Sequence, residues 1–581
     1  MPLPIPVLDI RSRFSFKEVA VEMERKAAGQ AVVDALLAEE VEIVFGLAGS
    51  HILAICDSLL DARAIRFVTV KHENNAAVMA DMYGRLTQRP GVCLVTAGPG
   101  ATNSVTGVAQ AYSAASPMVH ISGTVPRRAA KGIFHGLDDP QFVHKVFRPV
   151  TKWSVRVDET EDIPGILARA FSIANSGRPG PVHVDLPEDL FAEQPTDVST
   201  YEREPSGSIL PDTGLAERVA EMLLSARNPV ICAGKGVRAS AAAAELATLA
   251  EQLEIPVILT RDATDVLPAA HALNAGAIGT FMPNPFPLQL VKESDALLVI
   301  GMRANTTAAE LLDECAPRNY IFLTPQGESD VAHRASVSAA VDCKAMLAEL
   351  IARIGAAKKA PDRDIAKRIA EMKETLRKGM NQDVETYRGH KPLHFGLALK
   401  ELVPLLDQDA LIVSDIGNHG VWTSKWLEVH GTQTLLEPGS WGAMGFALPG
   451  TIAAKLVHPD RQVVGITGDG AFLMACSDFG TALEVGANVV IVILNDSRYG
   501  MIHKLQMRDF GRTYQTELRS PDFAKFAESF GAVGIRVEDD SELRSAFQSA
   551  LAADSPVIVD VVSGYDFPSP SPDQWLRGSA V

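Results

Sequence analysis

The sequence predicts an α/β protein of three domains, each a doubly wound parallel sheet covered by helices. The chain has 581 residues, enough for three or four domains. Short apolar runs of the kind that form buried parallel strands alternate with segments of helical periodicity. This alternation is typical of parallel sheets with helices on their faces. The same rhythm recurs in three successive blocks, so we expect three similar domains.

The first block is expected to cover residues 27–195, after an N-terminal extension over residues 1–26. Its predicted strands are the runs "EIVFGL", "IRFVTV", "GVCLVTA", "MVHIS" and "PVHVDLP". The segment at about 192–214 is rich in Pro, Ser, Thr and Gly, a composition typical of linkers. We therefore expect the first domain to end there.

Two further blocks follow this linker. The second, expected at 215–360, contains "NPVICAGKGV", "IPVILT", "SDALLVIGMR" and "NYIFLT". The third, expected at 390–565, contains "ALIVSDIG", "QVVGITGDG", "NVVIVILND" and "SPVIVDVV". A charged helical stretch near 363–389 is predicted to connect them, and the Pro- and Ser-rich residues 566–581 are predicted to form an irregular C-terminal tail.

Composition excludes several classes of function. Hydrophobic residues make up 47% and charged residues 22% of the chain, as in ordinary globular proteins. A net charge of −17 argues against a nucleic-acid partner. The six cysteines are scattered without a C-x-x-C pair, which favours reduced thiols in a cytoplasmic protein. The apolar runs are too short to span a bilayer, and the N-terminus lacks a signal-peptide core.

One stretch of the third block carries two acids at predicted strand ends. The run "GDGAFLMACSDFGTALEVGANVVIVILND" predicts a strand-to-helix turn, a helix and a second buried strand. Asp469 and Asp496 are 496 − 469 = 27 residues apart, and both lie where ligands of open parallel sheets bind. Two carboxylates beside a helix N-terminus suit Mg²⁺ holding a diphosphate. A lone Gly-Asp-Gly, however, is more often an ordinary turn.

Four other stretches of the sequence indicate that this Gly-Asp-Gly motif is part of a larger pattern. "VTVKHENNAAVMADMYGRLT" places Glu73 between a strand and a helix, and "TAGPGATNSVTG", "SDIGNHGVW" and "EPGSWGAMGFALPG" are Gly-rich turns. Each is weak alone, and Glu73 alone would be read as a helix-start acid. In this order, they resemble the thiamine-diphosphate enzyme superfamily, most closely the acetolactate synthase and pyruvate oxidase group. The resemblance runs from about Ala27 to Val562.

The resemblance implies a cofactor and a set of binding residues. The three domains would be pyrimidine-binding, central and diphosphate-binding, and the cofactors would be thiamine diphosphate and Mg²⁺. Glu73 would hydrogen-bond the pyrimidine ring, and Met444 would be the apolar wedge that shapes the cofactor. The implied metal ligands are Asp469, Asp496 and the backbone oxygen of Arg498. The implied cofactor-binding residues are Asn418, His419, Gly442, Met444, Gly470, Ala471 and Met501.

The resemblance also implies a small-molecule 2-oxo acid substrate and a decarboxylase or carboligase of the acetolactate synthase type. Around the reactive carbon we expect Ser50, His51, Thr96 and His135. His135 stands where acetolactate synthases have Gln, so we predict that it donates or accepts a proton. The alternative for either histidine is a hydrogen-bonded core or surface residue. Glu73 and the metal site would meet across two subunits, which implies a homodimer or homotetramer.

Several positions depart from the family's patterns. Leu505 replaces a Trp of biosynthetic acetohydroxyacid synthases, which puts that pathway function in doubt. Thr324, Pro325 and Gln326 replace an acid of nucleotide-binding relatives, so we expect neither FAD nor ADP, although "GMRANTTAAE" keeps Arg303. Two other functions stay open. One is a lyase acting on 2-hydroxyacyl-CoA or oxalyl-CoA, and the other is a non-catalytic cofactor-binding paralogue.

Overall fold

A computed structural model describes residues 28–127, 134–192, 201–279, 284–303, 307–325, 334–355, 364–431 and 433–564. These residues form three six-stranded sheets in which every strand pair is parallel. The predicted fold class, three α/β domains with parallel sheets, is therefore confirmed. Within the described part of the chain, no helix combines the length and apolar composition needed to cross a membrane.

The first sheet has the strand order β2-β1-β3-β4-β6-β5. Its strands are β1 (Ile43–Gly46), β2 (Arg66–Thr69), β3 (Gly91–Val95), β4 (Met118–Thr124), β5 (Trp153–Arg156) and β6 (Pro181–Pro187). Its helices are α1 (28–38), α2 (Leu53–Asp61), α3 (Glu73–Thr87), α4 (Pro99–Asn103), α5 (Val105–Ala114), α6 (Phe142–Phe147) and α7 (Ile163–Asn175). The order reverses between β1 and β3, so the crevice for a ligand lies at the carboxyl ends of these two strands.

The central sheet has the order β12-β11-β10-β7-β8-β9. Its strands are β7 (Pro229–Ala233), β8 (Val257–Thr260), β9 (Asn274–Ile278), β10 (Ala296–Ile300), β11 (Asn319–Thr324) and β12 (Val337–Ala340). Its helices are α8 (Thr213–Ser225), α9 (Gly236–Ala239), α10 (Ala243–Leu253), α11 (Phe286–Glu293), α12 (Thr307–Cys315) and α13 (Cys343–Ile354). The predicted connector is the long helix α14 (Ile365–Glu385).

The third sheet, ordered β14-β13-β15-β16-β18-β17, repeats the topology of the first. Its strands are β13 (Leu411–Ser414), β14 (Thr434–Leu436), β15 (Val463–Gly468), β16 (Val490–Asn495), β17 (Val533–Val537) and β18 (Val557–Val562). Its helices are α15 (Phe395–Leu402), α16 (Asn418–His430), α17 (Ala447–Val457), α18 (Asp469–Leu473), α19 (Phe479–Val485), α20 (Gly500–Phe510), α21 (Phe523–Ser529) and α22 (Leu543–Leu551). Its ligand crevice lies at the carboxyl ends of β13 and β15.

One predicted element is wrong. Helical spacing of Leu473, Cys476, Phe479 and Leu483 predicts a single helix, but the structure breaks it into α18, a 3-10 turn (Cys476–Asp478) and α19. The break lets Asp478 reach the first sheet, where its carboxylate accepts hydrogen bonds from the backbone N–H of Lys71 (2.9 Å) and from Asn75 Nδ2 (2.5 Å). These contacts join the third domain to the first at the break.

The first and third sheets share one hydrophobic core. Helix α3 packs on α17, and buried side chains of both domains form a single cluster that includes Met79, Met82, Phe446 and Ile452. The predicted boundaries of the domains stay predictions, and the predicted extension and tail lie outside the described residues. The packing leaves the carboxyl ends of both sheets available for functional side chains.

Candidate cofactor and active site

A cavity of about 220 Å³ lies at the carboxyl edge of the third sheet. The turn from β13 into α16, the turn from β15 into α18, the segment after β16 and the loop before α17 surround it. Every residue of the third domain that is predicted to bind the cofactor or the metal lines this cavity: Asn418, His419, Gly442, Met444, Asp469, Gly470, Ala471, Asp496, Arg498 and Met501. The structure therefore brings the predicted third-domain residues together at the crevice that the strand order creates.

The two acids of the cavity face each other. Burial raises the pKa of Asp469, although the Ser520 hydroxyl donates a hydrogen bond to its carboxylate. Burial and the facing charge of Asp469 raise the pKa of Asp496 to about 8. Such a pair is stable only if it shares a proton or binds a cation, and hard oxygen ligands suit Mg²⁺. Since no described cluster has three or more His, Cys, Asp or Glu side chains able to hold a metal, a cation here also needs other oxygens.

Unpaired polar atoms in the same cavity fit a diphosphate. Asn418 Nδ2 and His419 Nε2 are buried and have no hydrogen-bond partner among the described residues. An amide Nδ2 only donates, so it requires an acceptor such as a phosphate oxygen. Asn418 also begins the 13-residue helix α16, whose first N–H groups favour an anion. The donor set of the cavity thus fits a diphosphate held with a cation.

Two glycines fix the shape of this cavity. A Cβ on Gly500 would lie 2.4 Å from Asp496 Oδ2 and 2.9 Å from Asn418 Nδ2, so any larger residue would displace both polar groups. Gly442 has φ +67°, in the left-handed region that favours glycine. The backbone on either side of the cavity therefore depends on residues without a side chain.

Asp415 supports the cavity but was not singled out by the sequence analysis. Its buried carboxylate follows β13 and accepts hydrogen bonds from the N–H groups of Ile416 (2.9 Å), Gly445 (3.1 Å) and Ala447 (2.8 Å). Burial raises its pKa to about 6 despite these bonds. It holds the loop that carries Met444 against the end of β13. The signal was an acid directly after a buried strand, the same signal that identified Asp469.

The predicted residues of the first domain form a second group at the carboxyl edge of the first sheet. Ser50 Oγ lies 3.0 Å from His51 Nδ1, and the backbone N–H of His51 donates to Thr96 Oγ1 at 3.4 Å. Buried Glu73 accepts a hydrogen bond from Asn103 Nδ2 at 2.9 Å. A Cβ on Gly100 would lie 2.8 Å from Thr96 Cγ2 and 3.4 Å from Glu73 Oε1, so this glycine keeps the two side chains close.

His135 belongs to this group. Its ring stacks on that of His51, with centroids 5.3 Å apart and an interplanar angle of 21°. Its backbone has φ +65°, an uncommon conformation for a residue with a side chain. A Cβ on Gly98 would lie 2.6 Å from the His135 carbonyl oxygen, which explains the glycine of the "GPG" turn. Its Nδ1 is buried and has no partner among the described residues.

The two groups do not meet within one chain. None of Ser50, His51, Glu73, Thr96 and His135 lines the cavity that contains Asp469 and Asp496. The N-terminal end of α3 instead contacts the third domain through Asp478, which accepts hydrogen bonds from the Lys71 backbone and from Asn75. One chain therefore presents two separate sets of functional residues.

Comparison with known proteins identifies the family to which the three domains belong. Residues 26–144 match the thiamine pyrophosphate enzyme N-terminal TPP binding domain, 216–350 its central domain, and 415–561 its C-terminal TPP binding domain. The chain belongs to the thiamine-diphosphate-dependent enzymes. It is 32% identical over 558 residues to a probable acetolactate synthase large subunit of Methanococcus aeolicus, covering 91% of each chain.

Other relatives carry similar names. An acetolactate synthase of Bacillus subtilis is 32% identical over 558 residues, covering 93% of this chain and 94% of its own. An acetolactate synthase of Mycobacterium bovis is 31% identical over 574 residues, covering 94% and 89%. The predicted resemblance is therefore confirmed, and the chain is a thiamine-diphosphate-dependent enzyme of carbon–carbon bond formation or cleavage.

The crevice of the central sheet contains an internal ion pair. Its strand order reverses between β7 and β10, and the turn after β7 places Lys235 there. The buried Lys235 ammonium lies 3.1 Å from Asp262 Oδ2 and donates to the carbonyl of Ser113 in the first domain. Gly234 packs against the backbone of Gly301 so closely that a Cβ would lie 2.6 Å from its oxygen. Gln326, one of the residues behind the expectation of no nucleotide, lies outside the described residues.

Proposed function

We propose that this enzyme uses thiamine diphosphate and Mg²⁺ to decarboxylate a 2-oxo acid and to join the acyl group to a second 2-oxo acid. The cavity that combines Asp469, Asp496, Asn418 and His419 carries this proposal, because it offers a cation site beside unpaired buried polar atoms. The names of the relatives, acetolactate synthases from three organisms, support the choice of substrate class.

Asp469, Asp496 and the carbonyl of Arg498 would hold the cation, and Asn418 would donate to the diphosphate. Met444 would support the rings of the cofactor, and Asp415 would keep its loop in place through three backbone N–H groups. When bound, thiamine diphosphate supplies the nucleophilic carbon and the electron sink that loss of CO₂ from a 2-oxo acid requires.

Glu73 would exchange a proton with the pyrimidine ring of a cofactor bound in the cavity of a second copy of the chain. One fact supports a homodimer as the smallest active unit: Glu73, which accepts a hydrogen bond from Asn103, does not line the cavity of its own chain. A homotetramer would contain two such dimers. His135, Ser50 and His51 would face the substrate, where His135 would donate or accept a proton at its carbonyl oxygen.

A substrate screen tests the reaction. The purified protein is incubated with Mg²⁺ and thiamine diphosphate and a panel of 2-oxo acids, and both CO₂ and products are measured. Release of CO₂ with a 2-hydroxy-3-oxo acid product supports the proposal, and release with an aldehyde alone indicates a simple decarboxylase. Turnover of only oxalyl-CoA or a 2-hydroxyacyl-CoA would favour the lyase, and binding without turnover would favour the non-catalytic alternative.

Hybrid dimers test the shared site. One tagged chain carries Glu73→Gln and the other, with a different tag, carries Asp496→Ala, and the mixed species is purified through both tags. If the sites form between chains, one of the two sites is intact, and activity should reach about half that of the wild type. If each site forms within one chain, both sites are defective and the hybrid should be as inactive as either parent.

A further inference from the structure

Glu188 lies beside His51 of the first domain. It belongs to none of the sequence motifs and has no role in the proposed mechanism. It begins the 3-10 turn Glu188–Ala192, directly after β6. Its Oε2 lies 3.6 Å from His51 Nε2, an ion-pair distance rather than a hydrogen bond. The adjacent Asp189 accepts hydrogen bonds from the backbone N–H and the Nε of Arg127, which fixes the turn. The Glu188 carboxylate is thus directed to one nitrogen of His51.

The other nitrogen of His51 serves a different group. Nδ1 lies 3.0 Å from Ser50 Oγ and 3.5 Å from Thr96 Oγ1. A neutral imidazole has one N–H and one lone pair. A carboxylate near Nε2 favours the proton there, so Nδ1 accepts a hydrogen bond from Ser50. In this state the Ser50 hydroxyl donates its proton to His51 Nδ1, so toward the substrate the Ser50 oxygen can only accept a hydrogen bond.

We propose that Glu188 is a positioning residue that fixes which nitrogen of His51 carries the proton and thereby decides whether Ser50 donates or accepts a hydrogen bond toward the substrate. When His51 takes up a second proton, its Nδ1–H donates to Ser50 Oγ. The Ser50 hydroxyl proton then turns toward the substrate, where it can stabilise a carboxylate or a developing alkoxide. The substrate part rests on the proposed function, whereas the proton on His51 does not.

Burial and charge determine how easily the second proton is taken up. His51 is only 3% exposed, and burial lowers its pKa, while Glu188 raises the pKa and His135 lowers it. Ser50 and Thr96, which also contact the ring, are neutral. Because the rings of His51 and His135 are stacked, a charge on one opposes a charge on the other. Glu188 therefore favours a charge on His51, against the opposing effects of burial and of a charge on His135.

Nuclear magnetic resonance of ¹⁵N-histidine in the full-length protein, without substrate, tests the assignment. His51 is identified by the signal lost in His51→Gln. We expect the Nε2–H form in the wild type. In Glu188→Gln, which keeps the shape but removes the charge, the titration of His51 should move down by about 0.5–1 pH unit. Glu159→Gln, at an exposed acid near Arg127, is the matched control and should leave His51 unchanged.

Two results would overturn the proposal. One is a proton on Nδ1 of neutral His51 in the wild type, and the other is an unchanged His51 titration in Glu188→Gln. A kinetic measurement then tests the consequence: the limb of the pH profile on which kcat/KM falls as pH rises through the His51 titration should move down by the same amount in Glu188→Gln, with no such limb in Ser50→Ala. An unmoved limb together with a moved titration would refute the role of Ser50. Absence of any 2-oxo acid turnover in the wild type would instead refute the proposed function.

Discussion

Arg85 connects the helix that begins at Glu73 to the loop that carries Met444. Its Nε and Nη2 donate to the two carboxylate oxygens of Asp81 (2.8 and 2.6 Å), and its Nη1 donates to the carbonyl of Glu437 (2.6 Å). Its guanidinium also lies over the ring of Phe446, 4.9 Å from the centroid. Both charges are buried, since the Asp81 side chain is 0% and the Arg85 side chain 3% exposed.

We predict that Arg85→Met destabilises the protein by about 3–5 kcal/mol, because it leaves a buried carboxylate without a partner. The double variant Asp81→Leu/Arg85→Met removes both charges and should recover most of this loss. The exposed pair Lys378–Glu374, with the same spacing and 3.4 Å apart, is the matched control. Lys378→Met should cost no more than about 0.5 kcal/mol.

The assay is urea unfolding of the four proteins, followed by circular dichroism and tryptophan fluorescence. Calorimetric titration with thiamine diphosphate and Mg²⁺ completes it, and Arg85→Met should bind the cofactor more weakly because Glu437 and Phe446 flank the Met444 loop. If Arg85→Met lowers the free energy of unfolding by less than about 1 kcal/mol, the reasoning is refuted, because a loss that small is typical of exposed salt bridges. A double variant no more stable than the single one would also refute it.

Three further predictions follow from the site and the core. His135→Gln should reduce turnover at least about tenfold, because Gln cannot exchange a proton, and a smaller loss with an unmoved pH profile would make His135 a bystander. The purified protein should be colourless, and a flavin absorbance that survives dialysis would contradict the interpretation of the central crevice. Burial lowers the pKa of His120 to about 3 from 6.5, so the unfolded state binds more protons between these values. The free energy of unfolding should therefore fall as pH drops from about 6.5 to 3. In His120→Gln the slope of this free energy against pH should decrease by the contribution of at most one bound proton, and an unchanged slope would contradict the prediction.

The strands that the sequence analysis identified are mostly those in the interior of each sheet. Strands such as β3, β10 and β16 are buried along their whole length and read as continuous apolar runs. The five strands that it missed, β5, β9, β12, β14 and β17, all lie at sheet edges. Most of these are only partly buried, as in β17, where Val533 is exposed and only Val537 is buried. Their sequences therefore lack the apolar continuity that identifies interior strands.

The candidate site was predicted where a local motif and a strand end coincide. Asp469 and Asp496 each follow a buried strand, Glu73 follows the partly buried edge strand β2, and the structure places all three at carboxyl edges of sheets. Glu188 was missed because its relation to His51 is not local. It depends on the placement of β6 beside β4, whose Gly123 packs so closely on His51 that a Cβ there would lie 2.7 Å from the His51 Cβ. Such a juxtaposition requires the three-dimensional register.

The matching strand orders of the first and third sheets explain why the functional residues come in two sets. In each sheet the order reverses beside its first strand, and the turns there carry Ser50 and Thr96 in one domain and Asn418 and Asp469 in the other. Each crevice lies at the carboxyl edge of its own sheet, and none of Ser50, Glu73 and Thr96 lines the third-domain cavity of the same chain. The shared core of α3 and α17 keeps them at a fixed separation. If the reaction needs both sets on one cofactor, as we propose, a second copy of the chain must supply the missing set, and by two-fold symmetry two equivalent sites then form.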